Sequence, residues 1–322
     1  MQQQRGGGAW FCALFGAMLA VTGGAAQASC GGAFCVLNTS WDMHDSAAPG
    51  QTRVDLRYEY IKQDRLFSGN SSLPVADVTG EVAELKTVNR NTILSADYAF
   101  APDWSAAVSV PWISRLHSHI ADPTGAAQRE DWDITHLGDV RLIGHHRLPG
   151  SASGGELVLE FGLKLPTGDY RYSNADGATA ERSLQPGTGS TDAVLGATYS
   201  WRPRFLGVGW FVQGAYQRAA IIRDGFRPGD QLAVTGGLRY PVTEAFSLQL
   251  QLNALYRLRD AGPNAEPDES GGRFLYASPG LAYAVSPDTQ FYGYVQKPVY
   301  RNVNGVQLVA DRFLTAGVSM RF

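Results

Sequence analysis

Three sets of side chains in this sequence have types and spacings that could do chemistry. The first is a histidine group. His117 and His119 stand two apart, His136 follows, and Asp131 and Asp133 lie between them. Residues two apart on a strand share a face, so His117 and His119 could present two imidazoles to a divalent cation. Nothing fixes a fourth ligand or an outer hydrogen-bonding shell, so the group reads as solvated loop side chains and no metal is expected. His145 and His146 are adjacent, so on a strand they point apart and cannot chelate together.

The second set is Cys30 and Cys35, in Cys30-Gly31-Gly32-Ala33-Phe34-Cys35. In an oxidising compartment so close a pair reads as a local disulfide. A thiol metal site with Met43 and His44 is the alternative, although the spacing matches no strong zinc pattern. The third set is a series of charged and amide side chains, each opposite an apolar one on an alternating segment. Arg53, Arg57, Glu59, Arg141, Arg147, Glu160, Lys164, Arg239, Gln251 and Arg257 form it. Guanidinium groups in a row could guide anionic solutes, because Arg offers paired donors to a carboxylate. They could equally brace an interior by pairing with carboxylates there. Enzyme chemistry has less support. There is no Gly-x-Ser-x-Gly elbow and no phosphate-cradling Gly loop with Lys, and His146 has no serine beside it on an identifiable elbow.

These residues sit on segments that alternate with period two. Val54, Leu56, Tyr58 and Tyr60 face one way, and Arg53, Asp55, Arg57 and Glu59 the other. Leu157, Leu159, Phe161, Leu163 and Leu165 oppose Glu156, Glu160 and Lys164. Phe246, Leu248, Leu250 and Leu252 oppose Ser247, Gln249 and Gln251. Segments near 274–285 and 290–298 are aromatic on both sides, and their facing is not fixed by pattern. A fully charged strand face must meet water or paired charges. An opposite face of leucines and aromatics suits lipid. Together the segments make about twelve strands, an even count as bacterial outer-membrane barrels require.

The connections support the same class. Short turns at 101–104, 202–207, 241–245 and 286–289, with a slightly longer one at 149–155, alternate with longer polar links. These run at 68–88, 117–138, 166–190, 223–230, 260–272 and 301–308. Short periplasmic turns and long extracellular loops are the outer-membrane pattern, which a soluble β-sandwich does not need.

The chain has 322 residues and a net charge of -3, so it has no electrostatic footprint for nucleic acid. Its 37 Gly, 14 Tyr and 14 Phe suit a closed sheet. Residues 1–28 read as a signal peptide: Arg5, an apolar run from Ala9 to Val21, and the cleavage pattern Ala26-Gln27-Ala28. Residues 29–50 then read as a periplasmic N-terminal segment and 51–322 as the barrel. The final segment alternates down to Phe322, whose terminal aromatic resembles the signal read by the barrel-assembly machinery.

Several short motifs resemble one family. They are Leu137-Gly138-Asp139, Leu165-Pro166-Thr167-Gly168-Asp169, Pro298-Val299-Tyr300 followed by Asn304-Gly305-Val306-Gln307-Leu308, and the terminal Phe322. The resemblance is to the outer-membrane transporter family of the meta-pathway of phenol degradation, and it covers about Arg53 to Phe322. It implies a barrel in the bacterial outer membrane that admits small, often aromatic, molecules, and it carries no catalytic residues. The expectation is an all-β, transmembrane antiparallel barrel without cofactor. Its partners are outer-membrane lipid and a small solute, aromatic or hydrophobic among the candidates. The alternative is a structural or partner-binding barrel with a braced, non-conducting lumen, whose long 166–190 link, rich in Tyr, Asn and Gly, could bind a partner.

Overall fold

Alternating apolar and polar side chains force a sheet to choose which face meets which surroundings, and here the leucine face turns outward. A computed structural model describes residues 29–30, 48–78, 82–121, 127–148, 155–175, 177–201 and 207–322. The proposed cleavage site after Ala28 and the thiol of Cys35 lie outside the described residues. The strands are β1 (Ser29–Cys30), β2 (Thr52–Gly69), β3 (Ser71–Leu73), β4 (Val82–Ala101), β5 (Trp104–Ala121), β6 (Gln128–Leu137) and β7 (Arg141–Leu148). They continue with β8 (Gly155–Lys164), β9 (Thr191–Trp201), β10 (Gly209–Ile221), β11 (Gln231–Pro241), β12 (Phe246–Arg257), β13 (Gly272–Ser286) and β14 (Thr289–Arg321).

From β7 to β14 each strand pairs antiparallel with the next, and β14 closes onto β2, which pairs with β4. Two departures from one strand per stave hide a simple count. Near its start β5 pairs with β7, and further along it pairs with β6, so β6 and β7 form one stave interrupted at 138–140. Similarly, β14 pairs with β13 over Thr289–Val303 and with β2 over Val303–Arg321. Those partners require opposite directions of travel, so the chain reverses at Gly305, whose φ of 56° favours glycine. The two arms then lie side by side, with Gly293 next to the Thr315 carbonyl. The barrel therefore has twelve staves. Its ends meet where Thr52 and Phe322 exchange backbone hydrogen bonds of 3.0 and 2.8 Å. The small strand β1 runs parallel beside Gln307 and Leu308.

Outward positions carry a band of Leu56, Leu94, Leu142, Leu159, Leu195, Val234, Leu250, Leu281 and Leu314. Aromatic residues flank it. Tyr58, Trp112, Tyr216, Tyr256 and Tyr300 lie toward the long loops. Tyr98, Phe100, Trp104, Tyr240, Tyr283 and Phe291 lie toward the short turns. An apolar belt between aromatic girdles is the surface a bilayer selects. The interior is correspondingly polar. Gln63, Asn89, Gln251, Asn253, Ser278 and Gln296 are all fully buried.

The structure settles the two strands whose facing the pattern left open. Phe274 and Tyr276 on β13, and Tyr292 and Tyr294 on β14, point inward. Tyr276 meets Phe313 edge-on at 5.2 Å within an apolar cluster that includes Ile61, Phe67 and Val309. Several long links are also shorter than pattern suggested, because β2, β4 and β5 continue beyond the belt as polar hairpins, and β6 occupies most of the 117–138 link. A polar face outside the membrane removes the amphipathic signal without removing the ladder.

Rings pack flat on glycines of the neighbouring strand. A Cβ on Gly237 would stand 2.1 Å from the Phe211 ring, which is itself 1% exposed. Gly237→Ala should therefore cost about 1–3 kcal/mol through displacement of Phe211. The unfolding midpoint in urea, read by loss of the heat-modifiable gel band, checks this.

Candidate solute cavity

The break between β6 and β7 lets Asp139 turn into the barrel. Its Oδ2 accepts from Lys164 Nζ at 2.7 Å, the Thr188 amide at 3.0 Å and Thr188 Oγ1 at 2.9 Å. Its Oδ1 accepts from the Gly168 amide at 3.1 Å. Lys164 also donates to Thr188 Oγ1 and to the Ser190 carbonyl, and lies 3.5 Å from Asp192. These contacts hold both ends of the 165–190 link, so the loop folds into the barrel mouth. The paired charge at its base holds it there. Leu184 at its centre is fully buried against Trp132, Ile134, Leu66 and Leu308.

From β5, Arg115 reaches the same loop. Its Nη1 donates to the Ser183 carbonyl at 3.0 Å, and its Nε to Asn89 Oδ1 at 2.6 Å. Asn89 donates on to Gln63, which donates to the Leu308 carbonyl. One polar chain thus ties the roof to four staves. On the other flank Arg182 lies between the rings of Tyr170 and Phe226, at 5.0 and 4.6 Å, while Arg171 grips Asp224 with two bonds of 2.8 and 2.7 Å.

Beneath this roof lies a cavity of about 420 Å³. Of the expected lumen residues, Arg57, Glu59, Arg141, Lys164 and Arg257 line it. Arg57 pairs with Glu59 at 3.0 Å, and Arg257 pairs with Asp260 at 2.7 Å. The remaining five lie elsewhere in the interior. Arg53 pairs with Asp97 at 3.5 Å and Arg147 with Glu156 at 2.8 Å. Glu160 accepts from Thr198 and Gln213, Arg239 borders a small recess at the short-turn end, and Gln251 donates to Tyr294. Sequence reasoning missed the apolar part of the lining, which includes Ile93, Pro111, Ile113 and Val194. With apolar residues on both faces of a strand, alternation gives no signal. It also missed Asp139 as the anchor, for which the Gly138-Asp139 interruption was the available sign.

The interior opposite the cavity is filled. Asn253 accepts from Ser278 at 2.7 Å and Gln296 at 3.3 Å, and donates to Thr235 and Gln251. The lumen is thus half brace and half void.

The histidine group does not converge. His117 and His119 share a face, as expected, and their Nε2 and Nδ1 atoms lie 3.1 Å apart. They are buried under Trp132, not solvated, and Thr87 caps His117 at 2.8 Å. Asp131 and Asp133 point out of the barrel, because β6 places Trp132 and Ile134 inward and its odd-numbered residues outward. His136 instead meets Tyr172 edge-on at 5.3 Å. Among the described residues no three or more His, Cys, Asp or Glu side chains converge as a metal site would need. His145 and His146 do point apart: His145 lies 3.3 Å from Asp97, and His146 stacks outward on Trp104 at 4.1 Å.

The roof loop and the 258–271 link carry carboxylates that resist ionisation. Burial first, then the charges of Glu269 and Asp260, push Glu266 up to about 8. Burial, followed by Glu266, Glu84 and Glu269, also pushes Glu181 up. A raised carboxyl binds more protons folded than unfolded, so its contribution is complete below the ordinary value of 4.5 and is lost as pH rises through about 8. Amide exchange of residues 258–271, corrected for intrinsic rates, should show protection falling between those limits. Glu266→Gln should flatten the profile.

An inward polar lumen, an outward apolar belt with two girdles and twelve closing staves define an outer-membrane β-barrel. Residues 153–322, more than half of the chain, match the family described as "Putative MetA-pathway of phenol degradation", and the chain belongs to that family. The fold is similar to the COG4313 outer membrane channel from Pseudomonas putida F1, with a TM-score of 0.66 and 14% identity over 87% of this chain and 98% of that one. More distant barrels include the NanC porin, with a TM-score of 0.45 and 12% identity over 83% and 98% of the two chains. They also include the CymD monoaromatic hydrocarbon channel, with a TM-score of 0.41 and 10% identity over 90% and 94%. No curated protein matches the sequence. The protein resides in the outer membrane of a Gram-negative bacterium and has the fold of an outer-membrane β-barrel.

Proposed function

We propose that this barrel lets a small solute, aromatic or otherwise partly apolar, pass the outer membrane without energy coupling or catalysis. One observation carries the reading: a cavity of about 420 Å³ lies inside the barrel between an infolded loop and a packed polar wall, and is lined by both charged and apolar residues. A pocket of that volume suits a small molecule. Family membership supports the same reading. Planar-bilayer recording of the refolded mature protein tests it. Steady, salt-dependent current steps support passage, and a folded, inserted protein without current sinks it.

The braced, non-conducting barrel is the second reading, favoured by the buried amide network around Asn253. Bilayer silence together with unaltered barrel stability would select it. Export follows from residues 1–28 as a signal, and recognition by the assembly machinery from Phe322. Deleting Phe322 also removes the hydrogen bonds it exchanges with Thr52. The truncated chain should give sharply less assembled protein in outer-membrane fractions, and normal yield would count against that role.

A further inference from the structure

We infer that the cavity is a binding site for a small monocarboxylate with an apolar body, and that Arg141 receives the carboxylate. The inference deepens the solute-passage reading and rests on it for its biological use. Charge is the first ground. Six cations line the cavity (Arg57, Arg115, Arg141, Lys164, Arg182 and Arg257) against three carboxylates, Glu59, Asp139 and Asp192. Most of the six are committed. Lys164 is held by Asp139, and Arg57, Arg182 and Arg257 have ion-pair partners within 4.0 Å. Arg115 is spent on the roof loop.

Arg141 differs. Among the described residues it makes no ion pair, and its one hydrogen bond runs from Nη2 to Gln217 Oε1 at 2.9 Å. The two nearest carboxylates are already engaged. Asp139 accepts from Lys164, Thr188 and Gly168, and Asp192 accepts from Gln217 at 2.6 Å and Ser190 at 2.6 Å. The charges of Asp192 and Asp139 still act on Arg141, opposed by that of Arg57, another cation. An anion in the void supplies the ion-pair partner that Arg141 lacks among the described residues. Arg141 has donors to spare, and a guanidinium presents a planar pair of N–H groups that matches a carboxylate.

The second ground is the rest of the wall. Ile93, Pro111, Ile113, Val194, Phe226 and Ala233 border the same void. A fully hydrated inorganic anion gains nothing from such a surface, whereas an aromatic or short aliphatic body does. One charge and one apolar body are what the two halves of the cavity can each satisfy.

Equilibrium dialysis of radiolabelled benzoate against the folded protein in detergent micelles tests this. Benzyl alcohol is the neutral isostere and benzylamine the cation. The expected result is saturable benzoate binding, with both other probes at least about ten-fold weaker, and a loss of about ten-fold or more in Arg141→Gln. Equal binding of benzoate and benzyl alcohol, or full affinity in Arg141→Gln, overturns the proposal. If Arg141→Gln fails to give a heat-modifiable band, Arg141→Lys and the wild-type probe ranking decide. Arg141→Lys keeps the charge but loses the paired donors, so it should bind more weakly than wild type. Benzoate efflux from proteoliposomes separates the two readings. Binding without flux defeats solute passage and leaves the site standing. Flux without saturable binding defeats the site alone.

Discussion

Lys164→Ala should destabilise the barrel by about 3–5 kcal/mol, since removing one partner of a buried ion pair leaves uncompensated charge behind. Lys164 sits 2.7 Å from Asp139 and 3.5 Å from Asp192, and both carboxylates are buried. Without the ammonium, their charges face each other across the base of the infolded loop. Stability should fall first there, because Thr188 and Ser190 share the same network. Urea unfolding of the protein in lipid vesicles, read by gel mobility, measures the loss. Asp139→Asn combined with Lys164→Met should recover only part of it, since Asp192 then remains as the one buried charge at that point. A Lys164→Ala protein as stable as wild type would mean that the network is dispensable.

Excising residues 170–186, with the ends rejoined by a short Gly-Ser link, should raise conductance several-fold. Those residues carry Arg182, Ser183, Leu184 and Gln185, which roof the cavity and plug the mouth against Trp132 and Ile134. Single-channel recording of the excised and full-length proteins side by side checks this. An unchanged current would place the narrowest point below the cavity, among the amides around Asn253.

Strand number, outward facing and closure were legible because a bilayer enforces strict period-two alternation over the belt. Leu157 through Leu165 against Glu156, Glu160 and Lys164 is readable from composition alone. The interior aromatics Phe274, Tyr276, Tyr292 and Tyr294 were not, since a strand apolar on both faces has no preferred side until its neighbours are placed. The candidate site was half legible. Arg57, Arg141 and Arg257 alternate correctly and reach the cavity. Arg53, Arg147 and Arg239 alternate equally well and lie outside it, because alternation fixes the face of a residue and not its height. The histidines misled for a related reason. Nearness in sequence placed Asp131 beside His119, and β6 sent the two to opposite sides.

The stave formed by β6 and β7 has a consequence for the wall itself. At its interruption one hydroxyl supplements the backbone bonds that run from Gly138 to Pro111 and from Leu165 to Val140. Thr167 Oγ1 donates to the Gly138 carbonyl at 2.9 Å and accepts from the Val140 amide at 2.9 Å. Facing it on β5 is Pro111, which has no amide hydrogen to offer and accepts from Gly138 at 2.8 Å. Pro111 and Asp139 also border the cavity. Here part of the partition between lumen and hydrocarbon rests on a side chain that can rotate. Elsewhere among the described residues the staves are joined by backbone ladders, and a single threonine is therefore the hinge pin of this panel.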